Sequence, residues 1–130
     1  MSLEGVTEMH LFDFQINVRR WVFAAFGSHV ADHKPERAHR FLEEALELFQ
    51  ACELPQEDAH KLVNYVYARP VGELEQEVGG TLTTLAALCG AYGIDMDSAA
   101  SIEHERCWSN VGKIRAKQKA KPVLHGGFDD

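Results

Sequence analysis

Arg40-Phe41-Leu42-Glu43-Glu44-Ala45-Leu46-Glu47-Leu48-Phe49-Gln50 sets three carboxylates inside a strongly apolar run. At about 100° per residue, Leu48, Phe41, Ala45, Phe49, Leu42 and Leu46 fill one broad arc, and Glu43, Glu47 and Glu44 occupy the remaining side. The period is helical, so the stretch predicts an amphipathic α-helix. Glu44 and Glu47 are neighbours at i,i+3, and Glu44 lies beside Leu48 at the edge of the apolar stripe. Like charges held side by side at the edge of a core repel, and a divalent cation is one remedy. A solvated helix face is the other reading, because Glu is a good helix former.

Working outward, every further segment with a clear period also reads as helix. Residues 1–10 form an N-terminal extension. Leu11 to Phe26 follows a helical pattern that stops at Gly27. His29 and His33 stand at i,i+4 and His39 follows, a spacing that suits a metal on a continuous helix, but Gly27 and Pro35 make the segment read as a connection. Pro35 opens the helix that carries the acidic stretch and runs to about Ala51. Leu54-Pro55 starts a shorter helix closed by Arg69-Pro70. Gly72 to Tyr92 predicts a long helix stopped by Gly93, with the stripe Leu74, Val78, Leu82, Leu85, Cys89 and Tyr92 facing a core. Glu77 borders that stripe as Glu44 borders the earlier one. Gly79-Gly80 in mid-helix costs about 1 kcal/mol per Gly relative to Ala, which reads as close packing against another backbone. Asp95 or Asp97 caps a last helix that continues to about Ala120, and residues 122–130 form a flexible tail. The expectation is one all-α domain over 11–121, a bundle of four to five helices.

The composition, with 45% hydrophobic and 25% charged residues over 130 positions, is that of a globular chain. A formal charge of −7 argues against a general nucleic-acid binder. Cys52, Cys89 and Cys107 lack any Cys-x-x-Cys spacing and read as buried free thiols, which favours a reducing, cytoplasmic setting. No apolar run is long enough to span a membrane. Lys113, Arg115, Lys117, Lys119 and Lys121 place five cations in nine residues without an acid. A helix end attracts such charge, and so does a bound polyanion, for which Lys113 and Lys117 at i,i+4, with Arg115, are the phosphate-binding candidates.

Glu43-Glu44-Ala45-Leu46-Glu47 followed by Glu77-Val78-Gly79-Gly80 resembles the two-part acidic signature of the MazG-like all-α nucleoside triphosphate pyrophosphatases, Glu-Glu-x-x-Glu and then Glu-x-x-Asp. Phe14-Gln15 with Trp21, Arg40-Phe41-Leu42 and Ile114-Arg115-Ala116-Lys117 resemble the short phage and proteobacterial branch associated with dATP and dGTP breakdown. The resemblance covers roughly residues 11 to 122. Gly80 stands where the pattern has Asp.

The resemblance implies hydrolysis of a (d)NTP, such as dGTP or dATP, to the monophosphate and pyrophosphate. It implies Mg²⁺, with Mn²⁺ as substitute, held by Glu44, Glu47 and Glu77; with Gly80 offering no ligand, Glu73, one turn before Glu77 on the same side, is placed to supply an oxygen, and Glu43 is another candidate. It also implies a homodimer or homotetramer whose cleft is built across subunits, which agrees with helices that carry more apolar stripe than one small bundle needs. Trp21, His39 and Tyr65 are the candidates for the base. A P-loop and a His-Asp dipeptide are both absent from the sequence, against two other classes of phosphohydrolase. Two alternatives stay open: a non-catalytic acidic helical protein with a degenerate metal site, and a pyrimidine or damaged-nucleotide substrate on the same scaffold.

Overall fold

A computed structural model describes residues 11–126, so the proposed N-terminal extension over 1–10 and the last four residues of the tail lie outside the described residues. Six helices follow in order: α1 (Leu11–Ala31), α2 (Lys34–Ala51), α3 (Gln56–Tyr67), α4 (Leu74–Tyr92), α5 (Met96–Ser109) and α6 (Val111–Ala120). No strand occurs among the described residues, and no helix is long and apolar enough to cross a membrane.

The boundaries follow local chemistry. Gly27 interrupts α1 with φ 80° and ψ 169°, a conformation that costs a residue with a Cβ far more than it costs Gly. Pro35 lies in the first turn of α2, where its missing N–H is no loss. His33 precedes that helix, and its Nδ1 accepts the Glu36 N–H at 3.2 Å, satisfying one orphan donor. Pro55 (φ −75°, ψ 150°) leads into α3. Gly93 closes α4 in the left-handed region (φ 68°, ψ 29°), with the Ile94 N–H returning to the Cys89 carbonyl at 2.9 Å, a six-residue closure. Of the two cap candidates for α5, Asp95 takes the role, and its Oδ1 accepts the Ser98 N–H at 3.1 Å. Glu53, just past α2, is the non-glycine residue with positive φ (62°) among those described.

Where the sequence reads as one last helix, the structure has two. Asn110 leaves the helical region (φ −127°, ψ 32°), and its Nδ2 donates to the Arg106 carbonyl at 2.8 Å. Ser109 does the same to Glu105 at 3.1 Å. Both side chains compete for carbonyls of the preceding turn, which loosens the ladder at this point.

The chain divides into two compact units, Met1–His39 with His104–Asp130 and Arg40–Glu103, so that the divisions fall within α2 and α5. In the first unit α6 packs against α1. Arg115 on α6 donates from Nε to the Ala25 carbonyl at 2.6 Å and from Nη2 to the Ala24 carbonyl at 3.3 Å. These carbonyls belong to the turn before the Gly27 break, where intrahelical partners run out. Ala25, Ala31 and Glu36 are the buried residues among those described. Trp21 meets Phe26 edge-on at 5.6 Å, and Trp108 donates from Nε1 to His104 Nε2 at 3.2 Å.

In the second unit no residue is buried. The stripe expected to face a core is present in sequence but uncovered: Leu74 is 81% exposed and Val78 54%, while Leu85 and Cys89 are half-buried. Nothing lies within 4 Å of a Cβ built on Gly79 or Gly80, so within one chain these glycines are not explained by close packing. The three cysteines are free and half-buried rather than fully buried. Tyr92 and Cys52 are hydrogen-bonded, and a hydroxyl beside that sulfur holds its proton above the ordinary phenol range, burial adding a little.

Candidate functional site

The residues read from sequence fall into three settings. Glu43, Glu44 and Glu47 ride on α2 within the second unit. Glu43 pairs with Arg40 one turn earlier at 2.7 Å, so its carboxylate already has a cation. Glu44 and Glu47 are exposed, one turn apart on the same helix. Glu73 stands at the N-cap of α4 with extended backbone (φ −90°, ψ 132°). The sequence puts it inside the helix one turn before Glu77. The structure puts it at the entry, and its carbonyl accepts the Glu77 N–H at 2.9 Å. Glu77 is exposed, and its carboxylate folds back over Gly72, in the space that a Cβ there would take.

The cations lie on α6. Lys113 and Lys117 are exposed one turn apart. Arg115, grouped with them in the sequence as a phosphate ligand, is engaged with the carbonyls of Ala24 and Ala25 instead. A guanidinium serves backbone carbonyls well because its N–H groups form a rigid fork.

The base candidates also separate. Tyr65 is exposed, with the Arg69 guanidinium over its ring at 5.2 Å from the centroid. Trp21 is half-buried, and its indole Nε1 is shielded with no hydrogen-bond partner. His39 stacks against His125, with centroids 5.7 Å apart and planes inclined by 17°.

Among the described residues, the ligand-bearing side chains that the structure gathers are Glu36, His39 and His125, one ligand atom of each lying within 4.8 Å of the others. Glu44, Glu47 and Glu77 form no such group within one chain. Glu36 is 1% exposed. Its Oε2 meets His125 Nε2 at 2.6 Å, and its Oε1 accepts Gln118 Nε2. Arg37 Nη2 lies 3.9 Å from Oε1, near enough to add positive field. A buried carboxylate survives because partners replace its water.

Sequence reading missed Glu36 and His125. Half of the signal was available, since Glu36-x-x-His39 sets a carboxylate and an imidazole one turn apart on α2. The other half is a contact over 89 positions along the chain, which no local period encodes.

No protein-family model, no curated protein and no solved structure matches the chain.

Proposed function

We propose that the chain is a Mg²⁺-dependent nucleoside triphosphate pyrophosphohydrolase of the MazG-like kind, with a purine deoxynucleoside triphosphate as substrate, working as a homo-oligomer. The observation that carries this reading is the acidic pattern itself, Glu44 and Glu47 one turn apart on α2 and Glu77 near the start of α4, all exposed. The donor set fits the ion: carboxylate oxygens are hard ligands, and Mg²⁺ retains positions for phosphate oxygens and water. When bound, the ion offsets phosphate charge during in-line attack of water at phosphorus. Glu44, Glu47 and Glu77 are the proposed holders of that ion. Lys113 and Lys117 are the proposed phosphate-binding residues, with Arg115 left to the backbone.

Two observations support association with a second copy. The second unit has no buried residue although it carries Phe41, Leu42, Leu46, Leu74, Val78 and Leu82 on its helices. An area of that kind left in water forgoes about 25 cal/mol per Å². Gly79 and Gly80 also present open backbone, suited to the close approach of another helix.

The experiment is Mg²⁺-dependent release of pyrophosphate across a panel of NTPs and dNTPs, with Glu44→Gln, Glu47→Gln and Glu77→Gln beside the wild type. Loss of turnover in each variant, with helical circular dichroism retained, is the expected result. Unchanged turnover in any two of the three refutes the assignment. The second reading, a non-catalytic acidic binding protein, is favoured by Gly80 in place of Asp and by the separation of the three glutamates within one chain. No thermal shift with Mg²⁺ or Mn²⁺ and no turnover on any nucleotide counts against the hydrolase and in favour of that second reading.

A further inference from the structure

The group around Glu36 calls for an explanation separate from the triphosphate site. Among the described residues Glu36 is the largest fully buried side chain, a carboxylate in the first turn of α2, and the segment after α6 returns to it through His125, whose side chain is 3% exposed. Two of the neighbouring imidazoles are already occupied. His33 uses Nδ1 to accept the Glu36 N–H, so that nitrogen carries no proton, and its ring lies against His125 at 4.4 Å. His125 is held by Glu36 Oε2.

His39 has no such occupation. Its Nδ1 is shielded from solvent and has no hydrogen-bond partner in the structure. A shielded imidazole nitrogen without a partner forgoes a bond whose loss ordinarily costs about 1–3 kcal/mol, so its position beside a carboxylate and a second imidazole requires a reason. A metal ion supplies one. Donors about a tetrahedral zinc ion, with bonds near 2.1 Å, stand about 3.4 Å apart. One ligand atom each of Glu36, His39 and His125 already lies within 4.8 Å of the others, so small side-chain rotations close the set.

We propose that Glu36, His39 and His125 bind one first-row transition-metal dication of the zinc class, and that this ion fastens the segment after α6 to the first turn of α2. Two imidazole nitrogens and one carboxylate oxygen select such an ion over Mg²⁺ or Ca²⁺, which prefer oxygen alone. The ion takes the place of the hydrogen bond between Glu36 and His125. Gln118 keeps its bond to the other carboxylate oxygen and holds the ligand in orientation. His33, engaged as the helix cap, stays outside the coordination sphere, so three protein ligands leave a position for water.

The test uses the full chain, stripped with a chelator and titrated with Zn²⁺ and with Co²⁺. One equivalent per chain, a visible Co²⁺ absorption band and a rise in melting temperature are expected. His39→Ala should weaken binding at least about tenfold, and Glu36→Gln comparably, while His60→Ala on α3 changes nothing. Because Glu36→Gln disturbs a buried group and can unfold the chain, the wild type is also followed by imidazole NMR during Zn²⁺ addition. The His39 and His125 signals should move first, with His29, His60 and His104 unmoved at one equivalent. Equal affinity in His39→Ala and wild type, equal response of all histidines, or no binding by the wild type each overturns the proposal and leaves Glu36 as the centre of a metal-free polar clasp.

Discussion

Arg115→Met removes the guanidinium that joins α6 to α1 while keeping an unbranched side chain. The Nε bond to the Ala25 carbonyl, at 2.6 Å, is short and charge-assisted, and such bonds contribute about 1.5–3 kcal/mol. The Nη2 bond to Ala24, at 3.3 Å and exposed, adds about 0.5 kcal/mol. The acceptors are neutral carbonyls, so salt screening does not erode the sum as it would for a surface ion pair. The expected loss is therefore about 2–3.5 kcal/mol, or a drop in melting temperature of roughly 6–17 °C for a chain of this size. Urea unfolding at fixed protomer concentration, followed by circular dichroism and by Trp21 and Trp108 fluorescence, measures it. Arg115→Lys, able to reach one carbonyl, should recover about half. Lys119→Met, an exposed position on the same helix, is the control and should stay within about 0.5 kcal/mol. A loss below about 0.5 kcal/mol in Arg115→Met, with pyrophosphate kinetics impaired, would falsify the backbone role and return Arg115 to the phosphates.

Glu53→Gly should stabilise the chain by about 0.5–1 kcal/mol, because φ 62° is strained for Glu and free for Gly; a destabilised variant in chemical unfolding counts against that strain. Asp95 accepts the Ser98 N–H and is held below the ordinary 3.8 by the backbone and hydroxyl bonds of Ser98, partly offset by desolvation. Its folded-state value is depressed, so its contribution is present above 3.8 and is lost as pH falls through the depressed value. Asp95→Asn should accordingly be less stable than wild type near neutrality and equal to it in strong acid, and a gap that persists in acid refutes the linkage. Gly72→Ala pushes aside only the free end of the Glu77 side chain, so unfolding should change by less than about 0.5 kcal/mol while the Mg²⁺-induced thermal shift falls. An unaltered shift shows that the Glu77 position does not matter to the ion.

Where one residue decides a boundary, the sequence was sufficient to place it. Pro35, Pro55 and Gly93 each impose a backbone angle or remove a donor, and the helix starts and stop expected from them are where the structure has them, whereas Gly27 only kinks α1, which resumes beyond it to Ala31 instead of giving way to a connection. Asn110 was not legible in this way, because the break between α5 and α6 comes from Ser109 and Asn110 bonding back to Glu105 and Arg106, a competition weaker than any single Gly or Pro. The helical period predicted which residues share a face, but a period does not say what covers the face. Leu74 and Val78 lie on one stripe and are exposed in the single chain. Of the candidate residues, the glutamates of α2 and α4 were picked out by their spacing, but the single chain does not gather them, whereas Glu36 with His125 depends on a chain return that only the fold provides.

Burial is what distinguishes the two proposed donor sets along α2. Glu36 sits buried in the first turn and His39 half-buried in the next, whereas Glu44 and Glu47 lie two to three turns after Glu36 and face water. Mg²⁺ gives up its water reluctantly and works through phosphate co-ligands, so a carboxylate pair serving it has to remain open to solvent and substrate. A zinc-class ion exchanges its water for imidazole readily and gains from a dry, shaped setting, where fixed ligands need no reorganisation. The first turn meets that second requirement because His125 and Gln118 close over Glu36 from the far end of the chain. One amphipathic helix can therefore present hard oxygen donors on an open face and a mixed nitrogen and oxygen set in a closed one. On the two proposals above, the difference between them comes from what packs on each turn and not from the helix itself.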